Sequence, residues 1–215
     1  MQNFSKVELI IFDLDYTLVD SSEGIVYCFN QARRRAGEPE VEPEKIIQRI
    51  GHPIEETFLR FGSADPVGRR VVFRQMAAEG AMAERSFLLP GVADTIRALH
   101  GRGYRLAVAS TKARVEIIRI LERLGLVGYF EAFCGSDEVE KAKPAPDSLL
   151  KVLAQTKVLP EQAVYVGDHV VDIEAAKAAG VPVIALEGGP CSHEEKVAAQ
   201  PDALIQDLRG LLELL

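Results

Sequence analysis

Cysteine is scarce. The chain has 215 residues and three cysteines, Cys28, Cys134 and Cys191, an odd number at wide and unpatterned spacing. That excludes a disulfide framework and a Cys-based zinc site and fits a reducing cytosol. No run of about 18 apolar residues occurs, so no helix is expected to span a bilayer. The segment Met1 to Lys6 carries one positive charge, and the apolar run after it meets Asp13 and Asp15 before reaching the length of a signal-peptide core. A cytoplasmic protein is therefore expected. A basic surplus is missing too: 25 Lys and Arg stand against 32 Asp and Glu, a net charge of −7. Such a surface repels phosphate backbones and anionic lipid, which argues against nucleic acid and membranes as partners. There is no internal repeat or low-complexity tract. What remains is an ordinary globular mixture, 47% apolar and 27% charged, which excludes fibrous and disordered classes. The length suits one large domain, or a core carrying a smaller insert.

Three nearly continuous apolar runs, Val7 to Phe12, Leu106 to Ala109 and Ala163 to Val166, end in polar residues, with a fourth at Val183 to Ala185. Runs of that kind predict strands buried on both faces of a parallel sheet. Helical segments lie between them, at Val92 to His100, Arg114 to Leu124, Ser148 to Ala154 and Ile173 to Ala179. Strands alternating with helices predict an α/β fold with a doubly wound parallel sheet. The exception is Ser21 to Phe87, which has no convincing strand. Ile25, Phe29, Ala32 and Ala36 fall at helical spacing there, as do Ile54, Phe58 and Phe61, and then Val67, Val71 and Met76. An inserted α-helical cap is expected over residues 17–87, with the catalytic core formed by residues 1–16 and 88–215. Asp20 or Ser21 can cap its first helix, and Gly91 after Pro90 marks the return to the core.

Ligands of an open parallel sheet bind beyond the carboxyl ends of its strands, so the residues following each apolar run form one constellation. Asp13 and Asp15 follow the first; Ser110, Thr111 and Lys112 the second; Gly167, Asp168 and Asp172 the third. Lys143 lies in a Lys143-Pro144-Ala145-Pro146 turn that opens a helix. Clustered carboxylates with no Cys or His partners call for a hard, oxygen-preferring cation such as Mg²⁺. A carboxylate can also attack phosphorus, provided that charge on the phosphoryl oxygens is offset. Mg²⁺, Lys143, Thr111 and backbone N–H groups at a helix start suit that task. The alternation of Asp13 and Asp15 lets one attack while the other exchanges protons with the leaving group. The chemistry indicated is phosphoryl transfer.

These residues resemble the haloacid dehalogenase-like hydrolases in their phosphatase branch, nearly end to end. The stretch Asp13-Leu14-Asp15-Tyr16-Thr17-Leu18-Val19-Asp20-Ser21 is similar to the family's first motif and Ser110-Thr111-Lys112 to its second. Lys143-Pro144-Ala145-Pro146-Asp147 is similar to the third, and Gly167-Asp168-His169 with Asp172 and Ala175-Ala176 to the fourth. The resemblance implies that Asp13 is the nucleophile and Asp15 the general acid and base. It implies that Thr111 and Lys143, with Ser110, hold the phosphoryl group. Asp168 would bind Mg²⁺ with Asp13 and the backbone oxygen of Asp15, and Asp172 would support the metal directly or through water. Gly51-His52-Pro53-Ile54-Glu55-Glu56 and Ser192-His193-Glu194-Glu195 resemble phosphoglycolate phosphatases within the family. Two positions depart from the family pattern. Tyr16 stands where Gly is usual, putting a bulky ring near the cap or substrate in a turn that needs backbone freedom. His169 stands where Ser or Thr is common, as an imidazole that can titrate near neutral pH. The dehalogenase branch is disfavoured because its members lack the second carboxylate, here Asp15.

The expected activity is hydrolysis of a small phosphate ester by a monomer or homodimer, phosphoglycolate being the preferred substrate. A sugar-phosphate mutase shares the first half-reaction. A receiver-type signalling module shares the acidic cluster, but its phosphoacceptor lies on a middle strand and its chain is far shorter. Among lesser features, Arg33, Arg34 and Arg35 read as a solvated face at a helix end. One of Arg49, Arg69, Arg70 and Arg74 can clamp a substrate carboxylate, His52 either reaches the pocket or faces solvent, Asp147 reads as a first-turn acid, and Cys134 reads as core.

Overall fold

A computed structural model describes residues 4–215, so the first half of the Met1 to Lys6 segment lies outside the described residues. Each expected apolar run is a strand: β1 (Leu9–Phe12), β4 (Arg105–Ala109), β6 (Ala163–Gly167) and β7 (Val183–Leu186), the numbers following chain order. Two further strands, β5 (Ala132–Cys134) and β8 (Ala203–Ile205), were not anticipated. The first, which contains the expected core residue Cys134, is too short to carry a period, and the second is a half-buried edge. Together they form a six-stranded parallel sheet in the order β5-β4-β1-β6-β7-β8.

Successive side chains of a strand point to opposite faces, and two apolar layers result. Ile10, Phe12, Val108 and Val166 face one layer, which continues into the helices between residues 22 and 84; Leu9, Ile11, Ala109 and Tyr165 face the other, with Leu149, Val152 and Ile173. Helices Val92–Gly101 and Arg114–Arg123 cover the first face, and Asp147–Thr156 and Val170–Ala179 the second. Among the described residues no helix is long and apolar enough to cross a membrane.

Between β2 (Val19–Asp20) and β3 (Phe87–Leu88) the chain runs through helices Ser22–Arg34, Pro43–Ile47, Ile54–Arg60, Pro66–Ala78 and Ala81–Glu84. The two strands pair antiparallel, so the chain enters and leaves this helical insert side by side. Ile25, Phe29 and Ala32 are buried, and the Phe29 and Phe58 rings stack 4.2 Å apart. The third predicted stripe holds only at Met76, which is buried with Phe73 and Ala77, while Val67 and Val71 are exposed. Small residues at Gly68 and Ala78 leave that helix only a weakly defined stripe, and packing against Ser22–Arg34 decides its rotation. Arg33 is not on a solvated face. It is 3% exposed, paired with Glu38 at 3.2 Å and donating from Nε to the Pro39 carbonyl at 2.6 Å, because the chain after its helix folds back over it. Helix Ser22–Arg34 is capped by Asp20, whose Oδ1 accepts from the Ser22 N–H at 2.9 Å, and not by Ser21.

Candidate active site

The chain passes from β1 to β4 and β5 on one side, then returns to β6 on the other, so the strand order reverses between β1 and β6. Crevices open at such switch points, beyond the carboxyl ends of the strands. Asp13 follows β1 there, its N–H bonded to the Val166 carbonyl at 2.9 Å, and Asp168 follows β6. The carboxylate oxygens of Asp13, Asp168 and Asp172 lie within 4.8 Å of one another, all three buried.

Lys143 binds this cluster together. Its ammonium donates to Asp13 Oδ1 at 2.8 Å, to Asp172 Oδ1 at 2.5 Å and to the Tyr165 hydroxyl at 2.9 Å. Burial alone would lower the Lys143 pKa, but Asp13 and Asp172 outweigh it and raise it well above the usual lysine range, keeping the ammonium charged. The Tyr165 hydroxyl lies 2.9 Å from the Ala109 carbonyl and 3.2 Å from Asp172 Oδ1, tying β6 to β4 beneath the site. Sequence reading missed Tyr165, which looks like one more apolar residue of a buried strand; only its phenol in an otherwise aliphatic run gives a signal. Asp172 is fully engaged, since its Oδ2 accepts from the His169 N–H at 3.0 Å at the start of helix Val170–Ala179.

Asp168 has fewer partners. Thr17 Oγ1 donates to its Oδ1 at 3.3 Å, and Gly189 lies so close that a Cβ there would sit 2.0 Å from its Oδ2. Gly189 has φ +67°, which a side chain would strain. Its loop is held by Lys196, fully buried, whose ammonium donates to the carbonyls of Leu186, at 2.8 Å, and Gly188. Burial, with Asp172 and Asp13 nearby, pushes the Asp168 carboxyl well above its usual range, while burial raises Asp13 to about 6 with Lys143 working against it. The cluster is thus short of positive charge and offers oxygen donors only. Both properties fit a hard divalent cation.

Asp15 points elsewhere. Its Oδ1 accepts from Ser21 Oγ and its Oδ2 pairs with Lys112 at 3.3 Å, leaving its side chain outside the three-carboxylate cluster. That bond is why Ser21 does not cap the following helix. Ser110, at the end of β4, is buried, and its Oγ accepts from the Lys112 N–H at 3.4 Å. Thr111 is half-buried, and its carbonyl accepts from Ser136 Oγ at 2.6 Å.

A cavity opens between Asp15 and the helical insert. Thr111, Lys112 and Glu116 line it from the sheet side, and Arg49, His52 and Arg74 from the insert, with apolar walls of Ile25, Ile46, Ile50 and Phe73. Arg74 donates to Ser136 Oγ at 2.9 Å, whereas Arg49 Nε is buried without a partner. Arg69 and Arg70 are paired with Asp65 at 3.5 Å and Glu55 at 2.8 Å. Glu116 is 2% exposed, its Oε1 has no hydrogen-bond partner, and burial pushes its carboxyl up to about 7. A buried acceptor left unmade costs about 1–3 kcal/mol. Glu116 also escaped sequence reading, although its place four residues before Ile120 puts it on the buried stripe of its helix.

His52 and His169 meet edge to face, ring centroids 5.2 Å apart, joining insert to sheet domain. Burial holds His52 below its ordinary value and His169 down at about 4, so His169 is neutral near pH 7 and does not titrate there as expected. Its Nδ1 accepts from the Val171 N–H at 3.2 Å. Tyr16 adopts φ +54°, a left-handed conformation rare for a bulky residue. Its side chain does not face the cavity; it lines a separate groove with Thr17, Leu89 and Gly189.

Residues 10–186 match the family described as haloacid dehalogenase-like hydrolase. The chain belongs to that family. Within the haloacid dehalogenase-like hydrolases it is a phosphatase, of the phosphoglycolate phosphatase-like branch. The phosphoglycolate phosphatase of Escherichia coli K12 is 33% identical to it over all of this chain and 95% of its own length. A haloacid dehalogenase-like hydrolase from Bacteroides fragilis superposes with a TM-score of 0.88 at 32% identity, over 95% of this chain and 99% of the other. A mutant of CbbY from Rhodobacter sphaeroides, solved with xylulose-1,5-bisphosphate, superposes at 0.74 with 28% identity, over 94% and 95%.

Proposed function

We propose that the protein is a cytoplasmic, Mg²⁺-dependent phosphatase, monomeric or dimeric, that hydrolyses a small phosphate monoester through an aspartyl-phosphate on Asp13. Segment 17–87 acts as a cap over a core of residues 1–16 and 88–215. The observation that carries the reading is the bond from Lys143 to Asp13 at 2.8 Å inside a buried carboxylate cluster. A carboxylate so held is oriented for attack, and the lysine beside it offsets charge on the entering phosphoryl group.

In this reading Asp13 Oδ attacks phosphorus, the bond to the leaving oxygen breaks, and Asp15 delivers a proton to that oxygen. Asp15 then takes a proton from the water that attacks the aspartyl-phosphate, releasing phosphate and restoring the Asp13 carboxylate. Lys143, Ser110 and Thr111 hold the phosphoryl oxygens. Lys112 and Ser21, bonded to Asp15, fix the direction in which it exchanges its proton. Asp13, Asp168 and the backbone oxygen of Asp15 would hold Mg²⁺, with Asp172 in support. When bound, the ion supplies positive charge to the phosphoryl oxygens.

Phosphoglycolate is the first substrate to test, because that is what the named relatives at 33% identity act on and because Arg49 has an unpartnered Nε over the cavity. The test is hydrolysis of p-nitrophenyl phosphate and phosphoglycolate before and after EDTA. Turnover should vanish on chelation and return with Mg²⁺, while Ca²⁺ substitutes poorly because its longer bonds and higher coordination number displace Asp13. Full turnover in metal-free enzyme contradicts the metal assignment.

A further inference from the structure

Glu116 is a carboxylate that the steps above do not use. It lies in the first turn of helix Arg114–Arg123, on the floor of the cavity that Asp15 also lines. Its cationic neighbours Lys112 and Arg74 draw the carboxyl only in part, since Lys112 pairs with Asp15 and Arg74 donates to Ser136. The walls of Ile25, Ile46, Ile50 and Phe73 carry no donor, and Arg49, lining the same cavity, makes no hydrogen bond from its Nε. Oε1 is left without a hydrogen bond in a nearly dry setting, a condition that native proteins rarely tolerate unless something else supplies the donor. If Asp15 protonates the leaving oxygen, the leaving group enters the cavity that Asp15 and Glu116 both line.

We propose that Glu116 is a specificity-determining residue that accepts a hydrogen bond from a hydroxyl on the leaving group. The preferred substrates are then small hydroxylated phosphate monoesters. This rests on the phosphatase reading and narrows its substrate class. A site built to pair with a hydroxyl rejects the analogue lacking it, because its own buried polar group stays unpaired. A leaving group whose carboxylate falls against Glu116, and not at Arg49, brings a second negative charge there, which counts against it.

The experiment compares kcat/KM of the Mg²⁺-loaded enzyme for glycerol phosphate, propyl phosphate and phosphoglycolate. Wild type should favour glycerol phosphate over propyl phosphate by about tenfold or more. Glu116→Leu should bring that ratio close to unity. Glu116→Gln keeps the shape and adds an N–H donor, so it should raise the ratio of phosphoglycolate to glycerol phosphate by about tenfold. If Glu116→Leu does not fold, as judged by circular dichroism, the Gln variant decides alone. Variants that slow all three esters in the same proportion overturn the proposal, as does a wild type that cleaves esters without preferring the hydroxylated one. A wild type that cleaves none of the three, nor p-nitrophenyl phosphate, sinks the phosphatase reading instead.

Discussion

The floor of the site and the cavity above it are built on opposite terms. On the floor, Lys143 has three partners, Asp172 uses both oxygens and Tyr165 bridges two strands. In the cavity, Arg49 Nε and Glu116 Oε1 are buried with no partner. The first arrangement holds Asp13 and Lys143 in place before a phosphoryl group arrives, which is the preorganisation that fast chemistry favours. The second leaves binding groups unsatisfied until a ligand supplies theirs, which favours discrimination. The proposed function accordingly assigns chemistry to the strand ends and selection to the space between sheet and insert.

Changes on the floor should act on turnover and changes in the cavity on selectivity, and the contrast can be broken at either place. The largest effect is expected from Asp13→Asn, which keeps the shape and removes the attacking charge. Activity should fall by about 1,000-fold or more with folding intact; retention of more than a few per cent defeats the covalent mechanism. Next, Arg49→Ala should raise KM for phosphoglycolate by about 10- to 100-fold, the loss expected for one charged hydrogen bond, with little change for an uncharged ester. Equal losses for both would move Arg49 out of the selective part. Tyr165→Phe removes one hydroxyl beneath Lys143 and should lower kcat by about five- to tenfold without a selective change in KM. An unchanged kcat would show that Asp13 and Asp172 suffice to place the lysine.

The smallest effect concerns stability. Burial raises the Glu116 carboxyl from 4.5 to about 7, so the folded state binds this proton more tightly than the unfolded state. The stability it contributes is present in full below pH 4.5 and lost as pH rises through about 7. In EDTA, Glu116→Gln should therefore gain thermal stability relative to wild type across that interval, by a few degrees. A difference that stays flat from pH 4 to 8 contradicts an unpartnered buried carboxylate.

The sheet and the floor were largely legible in the sequence, because both follow from local pattern. Apolar runs such as Ala163 to Val166 encode buried strands, and the polar residue after each run must emerge at the sheet edge. The cavity was not legible. Arg49 and Arg70 are alike as residues, but only the packing of the insert leaves one unpartnered and pairs the other with Glu55. Glu116 and Lys196 are charged residues that statistics place on the surface, and their burial depends on distant segments folding over them. Val67 and Val71 misled for the same reason, since helix rotation is set by neighbours and not by spacing alone. Tyr16, expected to put its ring near the cap or substrate, keeps the left-handed turn that Gly would hold with less strain and packs near Gly189.

The central claim, that Asp13 is the covalent nucleophile of a pre-set floor, is tested most directly by acid-quenching the enzyme during turnover of a phosphate ester and locating the phosphoryl adduct by peptide mass spectrometry. The account predicts an adduct on Asp13 that hydroxylamine removes, as it does acyl phosphates, and that is absent from Asp13→Asn. An adduct on His52, His169 or any other side chain, formed at the rate of turnover, would contradict it.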